Sequence, residues 1–174
     1  MRKYTTEKYI KLVENTNDNI LQSYMHAEID VISKVKNSKD KTFVDLGAGY
    51  GRVLPILVKI ARNVISIEIN PNMIIELRKR TEKYKNAIAI EGDIQKLSSF
   101  LEDKDIKNPV LLLLQNTLGG IEGDYKKVLS EVKSTAKKYD GEVIISLFRK
   151  ESLKDWGVRE LYTKLREMTG EPDL

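Results

Sequence analysis

The sequence contains no cysteine, which excludes a disulfide framework, a thiol nucleophile and any cysteine-ligated metal site, and agrees with a reducing compartment. Its one histidine, His26, excludes a metal site built from several imidazoles and reads as a surface or capping residue. No metal site is therefore expected. No run approaches the ~20 apolar residues that span a bilayer. The start Met1-Arg2-Lys3-Tyr4-Thr5 lacks the apolar region of a signal peptide. A cytoplasmic location without a membrane partner is the expectation. Charge of one sign is also not in excess. The 30 Lys and Arg against 26 Asp and Glu leave a net +4 spread along the chain, which disfavours a nucleic-acid partner without excluding one. Clusters such as Arg78-Lys79-Arg80 and Lys137-Lys138 fall on the polar faces of expected helices.

What the sequence does contain is Val44-Asp45-Leu46-Gly47-Ala48-Gly49-Tyr50-Gly51-Arg52, an apolar strand entering a glycine-rich turn. A helix is expected from Arg52 onward, with Pro55 tolerated in its first turn. The glycines allow a sharp turn and a close backbone approach to a ligand. Four further apolar runs read as strands: Asn63–Ile69, Ala87–Ile90, Pro109–Leu114 and Glu142–Phe148. The first of these carries Glu68 near its end, about twenty residues past the first glycine, where a carboxylate can bridge ribose hydroxyls. The next ends in Glu91-Gly92-Asp93, and Asp93 can accept from an exocyclic amine such as that of adenine. The third ends in the polar segment Gln115-Asn116-Thr117-Leu118-Gly119-Gly120. Strand ends of this kind are where ligands bind in open α/β sheets.

Helical patterns fill the intervals. Tyr9, Ile10, Leu12 and Val13 form a short apolar face, Asn15 to Asn19 breaks it, and Leu21, Met25, Ile29, Ile32 and Val35 recur at helical spacing. Asn70-Pro71 reads as an N-cap and first helical residue. Tyr125, Val128, Leu129, Val132 and Ala136 share a face of a helix started by Gly123 or Asp124 and ended by Asp140-Gly141. Five strands alternating with helices imply an α/β, doubly wound, mainly parallel sheet with helices on both faces.

The glycine spacing separates cofactor classes. A dinucleotide fingerprint would put its third glycine at position 52, which is Arg52, and no Gly-Lys-Ser/Thr follows for a phosphate loop. An acidic residue beside the turn suits a cationic or amino-bearing ligand. With these motifs in this order, residues 20 to 150 resemble the class I S-adenosylmethionine-dependent methyltransferases, which have a Rossmann-like fold. The resemblance implies strand order 3-2-1-4-5 and S-adenosyl-L-methionine as cofactor, leaving S-adenosyl-L-homocysteine. It implies that Asp45, Gly47, Ala48, Gly49 and Gly51 hold the amino-acid part and that Glu68 takes the ribose. Asp93 would contact the adenine amine, with Ile69 and Ile94 on the two ring faces. Asn116 and Thr117 would be the catalytic pair beside the sulfonium, Asn116 also touching the cofactor, with Tyr24, Tyr50 and Arg149 as further orienting groups.

The expected layout is one domain over residues 1–174, with a helical cap at 1–40, a cofactor-binding core at 41–150 and a C-terminal helix and tail at 151–174. The family continues into an antiparallel hairpin. Here a helix through Leu161, Tyr162, Leu165 and Met168 precedes Gly170-Glu171-Pro172-Asp173-Leu174, so the hairpin is expected to be absent and the fifth strand to be an edge that a second copy or another protein covers. The expected activity is methyl transfer to an unidentified small-molecule or protein acceptor. The alternatives are a nucleic-acid methyltransferase, a non-catalytic module of the same fold, and another nucleoside-binding enzyme such as an oxidoreductase.

Overall fold

The computed structural model describes residues 6–121, 123–149 and 151. The chain divides into two compact units. One holds the described residues 6–18, 148, 149 and 151, including α1 (Thr6–Glu14). The other, Asn19–Leu147, carries every remaining element. In order these are α2 (Asn19–Ser33), β1 (Thr42–Leu46), α3 (Leu54–Ile60), β2 (Asn63–Glu68), α4 (Pro71–Thr81), β3 (Ala87–Glu91), α5 (Leu97–Leu101), β4 (Val110–Leu113), α6 (Tyr125–Tyr139) and β5 (Glu142–Ile145). The expected C-terminal helix and tail lie outside the described residues.

The five strands form one sheet in the order β3-β2-β1-β4-β5, and each neighbouring pair is parallel. The expected architecture and strand order are both observed. Side chains alternate across the sheet. Val44, Leu46, Ile65, Ile67, Leu111 and Leu113 pack on one face with Leu97 and Leu101 of α5 and Val128 and Val132 of α6. Phe43, Val64, Val110 and Leu112 pack on the other with Ile32 of α2 and Leu54 and Leu57 of α3. Each fully buried leucine contributes roughly 1.5–3 kcal/mol by leaving water.

The helix ends follow the local chemistry. The Asn70 side chain accepts from the amides of Asn72 and Met73, and Pro71 opens α4. Asp124 accepts from Lys126 and Lys127 at the start of α6. The left-handed residue closing α6 is Asp140, with φ 51°, rather than Gly141. The helix after the glycine turn begins at Leu54, not Arg52: turn bonds from Gly51 N to Ala48 O and from Leu54 N to Gly51 O precede the first helical bond, Leu57 N to Val53 O. Ladder pairing of β5 stops near Ile145 instead of reaching Phe148. Ser146 N still donates to Leu113 O, but beyond Leu114 the partner chain leaves through left-handed Gln115 and Asn116.

The buried hydroxyls Ser66 Oγ and Thr135 Oγ1 have no hydrogen-bond partner among the described residues. An unsatisfied buried hydroxyl costs roughly 1–3 kcal/mol. Thr135→Val, which keeps the shape, is expected to raise stability by up to about 1 kcal/mol. A urea midpoint that falls instead would show that Oγ1 is satisfied in solution.

Candidate functional site

The polar residues that interrupt the strands share the face on which α2 and α3 pack. Asp45 lies two residues after Phe43, and Glu68 lies four after Val64, so alternation turns both toward that face. Asp45 is 3% exposed and Glu68 is 7% exposed, and such burial is costly for carboxylates unless they are paired.

Each is accommodated differently. Glu68 is held by backbone: its Oε2 accepts from Gly49 N at 2.7 Å and its Oε1 from Asn70 N at 2.7 Å. The first bond ties the glycine turn to the end of β2, and the second places the carboxylate at the start of α4, where the helix dipole favours an anion. Asp45 accepts no hydrogen bond among the described residues. Burial, the dominant cause, pushes its pKa from 3.8 up to about 7; Arg52 pulls it down, while Glu28 and Glu68 push it further up.

The turn is built for close approach. Gly47 N and Ala48 N donate to Ile67 O at 2.9 and 3.0 Å. Gly47 has φ +71°, and a Cβ there would lie 2.6 Å from Thr117 Cγ2, so β1's exit and the segment after β4 pack backbone to side chain. Gly49 has φ +56° and open space where a Cβ would project, while its amide is taken by Glu68. Thr117 Oγ1 donates to Leu114 O at 2.6 Å, which fixes its rotamer. Asn116 has φ 59° and opens the short 3-10 turn Thr117–Gly120.

Gly92 N donates to Glu68 O at 3.0 Å, bringing Asp93 beside the end of β2. Asp93 caps the 3-10 turn Ile94–Lys96, accepting from Gln95 N at 2.9 Å. The two apolar candidates differ: Ile69 is 63% exposed, whereas Ile94 is 9% exposed and packs in the core beneath α5 and α6. Tyr50 is 2% exposed with the Arg80 guanidinium 4.7 Å over its ring. Arg149 belongs to the other unit and is exposed beside Glu151.

A cluster not anticipated from the sequence joins these parts. Glu28 of α2 is 4% exposed. One carboxylate oxygen pairs with Arg52 Nη2; the other accepts from Ser146 Oγ and from Gln115 N at 2.6 Å. Ser146 Oγ in turn accepts from the Tyr24 hydroxyl at 2.9 Å. Burial is the main reason the Tyr24 pKa is raised, which keeps it a phenol. The sequence signal was available: Glu28 sits four residues before Ile32 and seven after Leu21 on the apolar stripe of its helix.

A family model described as a methyltransferase domain matches residues 37–170. Among curated proteins, the ribosomal RNA small subunit methyltransferase A of Clostridium botulinum is 30% identical over 94 residues, spanning 51% of this chain and 34% of that protein. The rRNA adenine N-6-methyltransferase of Bacillus licheniformis is 25% identical over 124 residues, spanning 66% of this chain and 42% of that one. The chain thus matches about a third to two fifths of these relatives' length. Among solved structures, a chain of the complex between the Haloferax volcanii Trm112 methyltransferase activator and the putative methyltransferase aligns with TM-score 0.64 at 13% identity, covering 98% of this chain and 75% of that one. The amino pentose methyltransferase CalS10 of Micromonospora echinaspora aligns with TM-score 0.59 at 14% identity, covering 81% and 56%. Likeness at these identities shows the shared fold.

Because the folded Asp45 pKa lies above its ordinary value, the folded state binds the extra proton between pH 3.8 and about 7. Stability from this group is fully present below pH 3.8 and is lost as pH rises through about 7. Asp45→Asn is expected to flatten that fall, measured as urea midpoints from pH 5 to 8. An unchanged slope in a folded variant would mean that Asp45 titrates normally.

Proposed function

The chain belongs to the methyltransferase-domain family whose model matches residues 37–170, and from that membership we propose that it is an S-adenosyl-L-methionine-dependent methyltransferase. The observation that carries the reading is Asp45, a buried carboxylate with its pKa raised to about 7 and no hydrogen-bond donor among the described residues, set under a glycine turn whose Gly49 has open space where a Cβ would project. That combination suits a ligand bearing an amino group or other cation, and fits poorly with a pyrophosphate. Bound there, S-adenosyl-L-methionine supplies an electrophilic methyl group on a sulfonium sulfur.

The residues of this chain then have separable tasks. Asp45 with Gly47, Ala48, Gly49 and Gly51 holds the amino-acid part. Glu68, already fixed by two amides, keeps further lone pairs for ribose hydroxyls. Asp93 and the exposed face of Ile69 receive the base, with Ile94 supporting that rim from the core. Asn116 and Thr117 border the acceptor, the Asn116 side chain orienting it. Methyl displacement needs alignment and exclusion of water rather than a covalent nucleophile, in keeping with a sequence that contains no cysteine.

The acceptor is read as a small molecule or protein, since Gln115-Asn116-Thr117-Leu118-Gly119 lacks the Asn/Asp-Pro-Pro-aromatic signature of many nucleic-acid amine methyltransferases. A ribosomal RNA adenine is the second reading, favoured by the names of the curated relatives. A covering partner or second copy at β5 is part of the proposal. Glu142 N and Ser146 N donate to Pro109 O and Leu113 O, so the alternate amides of Val143 and Ile145 point away from β4, and both side chains are 39% exposed.

Calorimetric titration with S-adenosyl-L-methionine and S-adenosyl-L-homocysteine, with NAD as control, tests the cofactor. Saturable binding of both is expected, weakened about tenfold or more, ~1.4 kcal/mol, in Asp45→Ala and Glu68→Ala. At pH 6, binding should release a proton from Asp45, read from the buffer dependence of the heat and absent in Asp45→Asn. No binding by the folded chain defeats the proposal. A radiolabelled-methyl screen over amines, peptides and ribosomal RNA then separates the acceptor readings.

A further inference from the structure

Two consecutive residues after β4, Gln115 at φ 50° and Asn116 at φ 59°, are left-handed, and neither is glycine. Left-handed backbone is unfavourable for side chains of the Gln type and tolerable for Asn. Such a pair persists only where its surroundings over-determine it. The Leu114 carbonyl accepts from both Thr117 N at 3.0 Å and Thr117 Oγ1 at 2.6 Å, closing the turn from inside. From outside, the Gln115 amide is shared between Glu28 Oε1 at 2.6 Å and Ser146 Oγ at 2.9 Å.

Glu28 is suited to impose this conformation. Its helix is anchored by Leu21 and Ile32, which are 2% and 1% exposed, so its carboxylate arrives at a set depth. Its second oxygen is occupied by Arg52, immediately after Gly51 of the glycine turn. An N–H donated to a carboxylate is about twice as strong as one to a neutral acceptor, and the Gln115 bond is short.

We propose that Glu28 is the positioning residue of the acceptor turn: bridging Arg52 of the glycine turn and the Gln115 amide, it holds residues 115–117 in the conformation that presents Asn116 and Thr117. Ser146, just after β5, and Tyr24 of α2 complete the bridge. The word acceptor rests on the methyl-transfer reading; the positioning does not.

The test uses the full chain and three variants. Glu28→Met removes the acceptor oxygens, Glu28→Gln keeps the shape and loses the charge, and Ser146→Ala removes the second acceptor. Amide exchange and proton chemical shifts are read by NMR, and S-adenosyl-L-homocysteine affinity by calorimetry. In wild type the Gln115 amide should be protected and shifted downfield. Glu28→Met should speed exchange at 115–118 at least tenfold while residues 110–113 stay protected. Glu28→Gln should recover part of the protection and leave the shift displaced upfield. A residue that only fills space would leave the Gln shift unchanged, and an unchanged Gln115 shift and exchange rate in folded Glu28→Gln overturns the proposal. If Glu28→Met does not fold, Glu28→Gln and Ser146→Ala carry the same readouts, with at least threefold faster exchange at Gln115 expected in each. Failure of wild type to bind the homocysteine nucleoside would defeat the methyl-transfer reading and leave the exchange result standing.

Discussion

Three carboxylates, those of Glu28, Asp45 and Glu68, are withdrawn from water on one face of the sheet, and the Arg52 guanidinium is the cation set among them. Burying charge is costly, and the one cation that the described residues place there does not by itself offset three carboxylates. The fold resolves this with a different device for each. Glu28 takes the direct ion pair. Glu68 takes two backbone amides, one of them at a helix start. Asp45 is left with neither and holds its proton up to about pH 7. A ligand bringing positive charge to Asp45 would relieve what the protein alone leaves unrelieved.

This arrangement depends on a parallel sheet with unlike faces. The face under α5 and α6 is packed with aliphatic side chains along β1, β2 and β4. The face under α2 and α3 is apolar toward the start of the strands and polar toward their ends. Period-2 alternation is what sends Asp45 and Glu68 to the same face from adjacent strands. Their register, with Asp45 opposite Ser66, sets Glu68 two residues farther along, where it reaches Gly49. Helix α2 then contributes Glu28 and Tyr24 from above the sheet, so an element outside the glycine motif becomes a wall of the site.

Much of this was legible in the sequence because it is encoded locally. The five strands are apolar runs bounded by turn residues, and their alternation with helices implies parallel pairing. The glycine turn, the Asn70 and Asp124 caps and the position of Glu68 at a strand end are each properties of a few consecutive residues. The edges were less legible. The start of α3 lies at Leu54 because turn bonds carry the chain from Ala48 through Gly51 to Leu54, and β5 pairing stopped near Ile145 because its partner strand turned away. Ile94, read as a ring face, packs in the core, since a residue after a strand end can turn to either side and only the neighbouring helices decide which.

The sequence by itself therefore determined the strands, their alternation with helices and the chemical types gathered at the strand ends, since periodicity and turn chemistry act over short stretches of chain, whereas the strand order was implied only by the resemblance to the methyltransferases. Tertiary structure alone decided which of those groups are buried, paired or strained. Glu28 meets Gln115 across 87 residues and Ser146 across 118. Whether a carboxylate at position 28 or 45 finds a donor depends on partners that no local pattern specifies, and at position 45 burial then raises the pKa.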